Sequence, residues 1–285
     1  MTPAAEPSAE DLPPLRDIIE RFELSARRSL GQHFLLDSNL TARIARAAGT
    51  IEAANVIEIG PGPGGLTRAL LAARANVVAV EKDSRCVQAL KELETAFPGK
   101  LHVVEADALE TDLTALAPTP RQIVANLPYN VGTPLLIGWL KQIRADANAF
   151  ARLTLMFQKE VAERLLAHPS TKAYGRLSVM TQWLCETSRE FDISPQAFTP
   201  PPKVTSAVVT LVPRPEPLGG ATVSWDRMER VVAAAFGQRR KMLRQSLKHL
   251  GRTDRVIAVS RFSTLRDQTT FEQRGDETLA CDLRD

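Results

Sequence analysis

Short apolar runs alternate with helical periodicity through the first two-thirds of the chain. Asn55 to Ile59 (NVIEI) reads as a strand and Gly64 to Arg74 as a helix. Asn76 to Glu81 is a second strand, followed by a helix from about Asp83 to Thr95. Leu101 to Glu105, Gln122 to Ala125, Leu153 to Phe157 and Val208 to Val212 continue the series. Thr133-Pro134 reads as an N-cap with proline at the first helical position, opening a helix to about Ile143. Asp37 suits the N-cap of a helix over Ser38 to Ala48, and Leu15 to Leu24 reads as a short amphipathic helix. Such alternation predicts an α/β fold with a mostly parallel sheet covered on both faces. Pro213 to Gly220 is rich in helix and strand breakers, and the pattern after it is helical, over Trp225 to Phe236 and Gln238 to Leu250. The expected organisation is a tail and short helix over 1–26, an α/β domain over 27–213, a linker over 214–220 and a small helical domain over 221–285.

Composition narrows the class. The 285 residues are 44% hydrophobic and 24% charged, which excludes wholesale disorder, collagen-like repeats and a coiled-coil rod. No stretch approaches the roughly 18 consecutive apolar residues of a membrane span, and Met1 to Glu10 lacks the pattern of a signal peptide. Cys86, Cys185 and Cys281 lie far apart with no CxxC pair, and the four histidines are scattered. The expectation is a reducing, cytoplasmic setting and no protein-held metal. A net charge of +3 is only a weak pointer to an anionic partner.

The candidate chemistry begins at Glu58-Ile-Gly60-Pro-Gly62-Pro-Gly64-Gly65, where a strand turns into a helix. Glycine permits tight turning and close ligand approach, and the helix N-terminus adds partial positive charge. Gly60, Gly62 and Gly65 formally satisfy a dinucleotide fingerprint, so a nicotinamide or flavin reading is open, but Glu58 before the first glycine gives E-x-G-x-G-x-G, a form that resembles the S-adenosylmethionine loop of Rossmann-like methyltransferases. The two prolines, which have no N–H, fit the dinucleotide reading poorly. Glu81, ending the next strand, suits ribose hydroxyls in either case, and Asp107 suits an adenine amino group.

Asn126-Leu127-Pro128-Tyr129 follows the fourth strand, at the edge where open α/β sheets bind ligands. The adenine N6 nitrogen is a poor nucleophile because its lone pair is delocalised into the ring. Two acceptors at that amino group, the Asn126 side-chain carbonyl and the Leu127 or Pro128 backbone carbonyl, favour a more tetrahedral nitrogen. Pro128 stiffens the turn, and Tyr129 offers a ring on which an extruded base stacks.

These segments resemble the ribosomal RNA adenine dimethyltransferases, and within them the bacterial KsgA/RsmA type that acts on small-subunit RNA. Beyond the glycine loop and Asn126 to Asn130, the resemblance includes Gly31 to Leu35, Val80 to Asp83, Asp107-Ala108, Phe157 to Arg164, Lys172 to Ser178, Ala197 to Val204 and Phe236 to Arg244. It implies a Rossmann-like class I S-adenosylmethionine methyltransferase domain with a small C-terminal helical domain. It also implies a cofactor pocket lined by His33, Leu35, Gly60, Glu81, Asp107 and Asn126. Asn126, Pro128 and Tyr129 would form the catalytic set, with Phe198 stacking on the base from its other side or anchoring the core. The implied substrate is a pair of neighbouring adenosines near the 3′ end of 16S rRNA in the small ribosomal subunit, each dimethylated at N6, with a role in subunit biogenesis. Nothing suggests an obligate oligomer.

Arg239, Arg240, Lys241, Arg244, Lys248, Arg252 and Arg255 fall within 17 residues that contain one acid, Asp254. A helical stripe of this kind can track an RNA backbone. The last 35 or so residues match the family's pattern least well. The alternatives are an Erm-type dimethyltransferase of large-subunit RNA, a non-catalytic RNA-binding assembly factor and a dinucleotide-dependent oxidoreductase.

Overall fold

The computed structural model describes residues 12–26, 31–237 and 243–251. The chain divides into two compact units. One comprises Met1–Trp139, Asn148–Ala162 and Ser188–Val212, the other Leu140–Ala147, Glu163–Thr187 and Pro213–Asp285.

The first unit holds nearly all of a sheet whose strands are β2 (Asn55–Ile59), β3 (Asn76–Glu81), β4 (Leu101–Glu105), β5 (Arg121–Asn126), β6 (Arg152–Gln158), β7 (Cys185–Ile193) and β9 (Ser206–Pro213), in the order β4-β3-β2-β5-β6-β9-β7. The first five in that order pair in parallel. β9 runs antiparallel to β6, with Gln158 opposite Ser206. The parallel strands are apolar on both faces because helices cover both, and four of the five β2 residues are buried. α2 (Ser38–Ala47), α3 (Gly65–Ala72) and α4 (Ser84–Ala96) supply Ile44, Leu70 and Leu90 to a core shared with Val56, Val77 and Val124. Asp37 caps α2 as its sequence predicts, accepting from the N–H groups of Asn39 and Leu40. A separate two-stranded ribbon pairs β1 (Phe34–Leu35) with β8 (Phe198–Thr199).

Strands β2, β3 and β4 step outward in one direction, and the chain then returns to place β5 on the other side of β2. The crevice of an open parallel sheet lies at such a reversal, above the carboxyl ends of the strands. Here those ends carry Gly60 after β2 and Asn126 at the end of β5.

Helix α5 (Gly132–Ala145) begins one residue before the expected cap. The N–H groups of Val131 and Gly132 both donate to Pro128 O, so the turn closes early. Pro134 then falls in the first turn, where its missing N–H has no intrahelical partner to lose.

Within the second unit, α7 (Arg176–Leu184) and α8 (Trp225–Gly237) carry Trp183 and Trp225, whose rings lie 6.5 Å apart. Arg144 sits over Trp183 and donates to the carbonyls of Ala221 and Val223. The proline-rich stretch 214–220 is tied to α7: Arg214 N–H donates to Leu184 O and Leu218 N–H to Trp183 O. Among the described residues no helix is long and apolar enough to cross a membrane.

Candidate active site

A cavity of about 240 Å³ opens at the switch point between β2 and β5. Its lining includes Gly31 to Leu35, Glu58 to Pro63, Glu81, Lys82, Asp107, Leu109 and Asn126 to Val131, all from the first unit.

The glycine loop forms one wall. Gly60, Gly62 and Gly64 have φ of +66°, +56° and +90°, a region that L side chains rarely adopt. At Gly65 the constraint is space, because a Cβ there would lie 2.4 Å from Leu35 O. The loop's N–H groups are already used. Gly60 N donates to Val80 O, Gly62 N to Glu81 Oε2 (2.9 Å) and Gly64 N to Pro61 O. Pro61 and Pro63 have none to give. A pyrophosphate would therefore find no free donor between Gly60 and Gly64, which removes the main support for the dinucleotide reading.

Glu81 is buried and takes three backbone donors, from Gly62 on Oε2 and from Lys82 and Asp83 on Oε1. Burial raises its pKa, and those three hydrogen bonds oppose the rise. The carboxylate thus holds the loop in shape as well as facing the cavity. Glu58, the acid whose place before the first glycine points to an S-adenosylmethionine loop, is 1% exposed. Burial pushes its carboxyl up to about 8, the Thr67 hydroxyl pulls it back, and the charge of Glu81 adds to the rise. Neither Glu58 Oε2 nor Thr67 Oγ has a well-formed hydrogen bond among the described residues. Asp107 accepts from Leu109 N–H at 2.9 Å and from Lys82 Nζ at 2.6 Å. The Lys82 ammonium holds its carboxyl below the usual range.

Asn126 and Tyr129 form the other wall. Asn126 Nδ2 donates to His33 O at 3.0 Å, which leaves Oδ1 as an acceptor with no partner among the described residues. Pro128 O already accepts from Val131 and Gly132, whereas Leu127 O takes no N–H from any described residue. Of the two backbone acceptors the sequence allowed, Leu127 O is the one left open. Half-buried Tyr129 shares a 2.6 Å hydrogen bond with Ser206 Oγ, and its ring lies 5.3 Å from that of His33, tilted by 34°. His33 Nδ1 lies 2.7 Å from Pro200 O.

Structure thus gathers His33, Leu35, Gly60, Glu81, Asp107, Asn126, Pro128 and Tyr129 around one cavity. Phe198 is placed differently. It is 3% exposed, belongs to the core beside Leu35 and meets His33 edge-on, and it is not among the residues lining the cavity. Its apolar neighbours and its pairing with Leu35 in the β1–β8 ribbon hold it there. Arg239, Arg240 and Lys241 lie outside the described residues, as do Arg252 and Arg255. Arg244 falls in the short helix α9 (Leu243–Ser246), and Lys248 beyond it is exposed. Sequence reasoning missed Lys82, Leu109 and Ser206, none of which gave a local signal.

The wall suits a positively charged adenosine-bearing group. Two carboxylates, Glu81 and Asp107, and the buried, proton-holding Glu58 carboxyl line it with one lysine, Lys82, which is itself paired with Asp107. Positive charge is favoured in such a field and a dianionic pyrophosphate is not.

Comparison with known proteins agrees with this geometry. The ribosomal RNA adenine dimethylase family model matches residues 23–279. The ribosomal RNA small subunit methyltransferase A of Rhodospirillum rubrum is 57% identical over 278 residues, covering 97% of this chain and 94% of its own. That of Paramagnetospirillum magneticum is 58% identical, covering 87% and 86%. Among solved structures, a dimethyladenosine transferase from Plasmodium falciparum aligns with a TM-score of 0.66 at 29% identity, covering 79% of this chain and 78% of that one. The 23S rRNA methyltransferase ErmE aligns with 0.59 at 32%, covering 79% and 87%. The chain belongs to the ribosomal RNA adenine dimethylase family and is a methyltransferase that uses S-adenosylmethionine.

Proposed function

We propose that this chain dimethylates N6 of two adjacent adenosines near the 3′ end of 16S rRNA, within the small ribosomal subunit, as a step in that subunit's biogenesis. It works in the cytoplasm as a monomer. The observation that carries this reading is the pairing of the two walls: an acidic glycine cradle faces two unpartnered acceptors, Asn126 Oδ1 and Leu127 O. The relatives named for small-subunit methylation align over nearly the whole chain, which favours that subunit over the large one.

On this reading Glu81 receives the ribose hydroxyls and Asp107 the adenine amino group of S-adenosylmethionine. His33, Leu35 and Gly60 line its pocket. The bound cofactor supplies an electrophilic methyl group on a sulfonium. Asn126 Oδ1 and Leu127 O accept the two N6 hydrogens and draw the nitrogen lone pair out of conjugation. No strong base is required, since the nitrogen sheds its proton readily once it carries the added carbon. Positioning supplies most of the rate. Tyr129, braced by Ser206 and His33, presents its ring to the extruded base. Phe198 supports that surface from behind His33. Arg239, Arg240, Lys241, Arg244 and Lys248, in the small C-terminal helical domain, engage RNA phosphates.

The test is transfer of labelled methyl groups to undermethylated small subunits, followed by nuclease digestion and nucleoside mass spectrometry. Dimethyladenosine in 16S rRNA is the expected product. Product confined to large-subunit RNA would replace this reading with the Erm-type one. Binding without transfer would point to an assembly factor.

A further inference from the structure

Two large apolar side chains stand exposed among the described residues, Leu109 at 49% and Val204 at 43%. A single exposed apolar residue is ordinary on any surface. What sets this pair apart is position. Leu109 lines the cavity, within reach of whatever fills it. Val204 lies outside the cavity lining, on the segment joining β8 to β9.

That segment is anchored to the active site at both ends. At its start, Thr199 pairs with Phe34 of the cavity wall, and Pro200 O meets His33 Nδ1 at 2.7 Å. At its end, Ser206 Oγ bonds the Tyr129 hydroxyl at 2.6 Å. Pro200, Pro201 and Pro202 stiffen it, because each ring fixes φ. Exposed Lys203 precedes Val204. Half-exposed Lys159 approaches from α6 (Lys159–Leu165), its N–H donating to Thr205 O at 2.9 Å and its Nζ 3.3 Å from Asp192. An apolar side chain thus stands two residues before the partner of the Tyr129 hydroxyl, with Lys203 next to it in the chain and Lys159 bonded to the same segment through its N–H.

A base that leaves its stack exposes the apolar faces of its neighbours, and proteins that hold such a gap open fill it with an apolar side chain while cations hold the flanking phosphates. We propose that Val204 is a positioning residue that wedges into the RNA stack vacated by the target adenosine, with Lys203 and Lys159 on the flanking phosphates. This rests on the small-subunit RNA substrate proposed above.

The probe is a small subunit whose 16S rRNA carries 2-aminopurine beside the target adenosine, a base whose fluorescence rises when its stacking partner leaves. The wild-type protein should raise the signal severalfold. Val204→Gly should bind the subunit and S-adenosylmethionine with wild-type affinity, leave the signal near its unbound level and lose about tenfold in kcat/KM for methyl transfer, mostly in kcat. Val204→Ile should restore both. If Val204→Gly unstacks the probe and transfers methyl groups like wild type, the wedge is overturned. If it loses cofactor affinity or thermal stability in parallel with transfer, its role is structural and the wedge is again overturned. If the wild-type protein binds these subunits yet neither raises the signal nor methylates native ones, it is the substrate reading that fails.

Discussion

The two walls of the cavity are held by different bonds. The glycine wall is fixed by backbone: Glu81 takes three N–H groups from residues next to it or in the adjoining loop, and each loop N–H from Gly60 to Gly64 is spent inside the wall. The aromatic wall is fixed by side chains that meet across the chain, Asn126 on His33 O and Tyr129 on Ser206. One wall presents a rigid acidic cradle, and the other leaves its acceptors open. On the proposed reading the methyl donor and the methyl acceptor make opposite demands. The first needs a preformed surface, and the second needs unsatisfied groups poised for an incoming base.

Changes to the first wall should act on cofactor affinity before anything else. Gly65→Ala carries the largest effect, because its Cβ meets a backbone carbonyl that cannot step aside. Overpacking of this kind costs about 1–3 kcal/mol, which as lost affinity is roughly five- to 150-fold, read by calorimetric titration with S-adenosylmethionine. Glu81→Ala should follow at about tenfold, since it strips three backbone donors of their partner and removes the acceptor proposed for the ribose. Unchanged affinity would remove Glu81 from that role.

Glu58→Gln sharpens the comparison through pH. In the folded chain Glu58 holds its proton to about 8, against an ordinary 4.5. Below the lower value the group is protonated in both states and folding is indifferent to it. As pH rises from there towards 8 the unfolded chain ionises and the folded chain does not, so stability falls. The glutamine variant should lose much of that fall and gain at least about 1 kcal/mol over wild type at pH 8, with little gain at pH 4. Burial shifts Glu81 in the same direction, so some slope should survive. Chemical denaturation across that range checks both statements.

The same contrast explains what was legible in the sequence. β2 to β6 could be read because parallel strands buried on both faces are short continuous apolar runs. The glycine loop could be read because its constraints are local, in φ and in the absence of proline N–H groups. β7 escaped because it lies at the sheet edge, where Glu186, Arg189, Glu190 and Asp192 face solvent and break the apolar pattern. The β1–β8 ribbon pairs two-residue segments more than 160 positions apart, and no local pattern announces that. Nor could Asn126-Leu127-Pro128-Tyr129 show which carbonyl stays open, because this depends on how the next helix starts. Phe198 was balanced between stacking and core, and its surroundings, not its identity, place it in the core.

The most direct test of this division of labour crosses two variants with two readouts. Cofactor affinity and the single-turnover rate of methyl transfer to undermethylated small subunits would be measured for Asn126→Ala and Gly65→Ala. Asn126→Ala should bind S-adenosylmethionine within a few-fold of wild type and lose at least about a hundredfold in transfer. Gly65→Ala should lose affinity and recover much of its rate at saturating cofactor. If Asn126→Ala weakened cofactor binding as much as transfer, or transferred methyl groups at the wild-type rate, the two walls would not divide donor from acceptor and the account would be wrong.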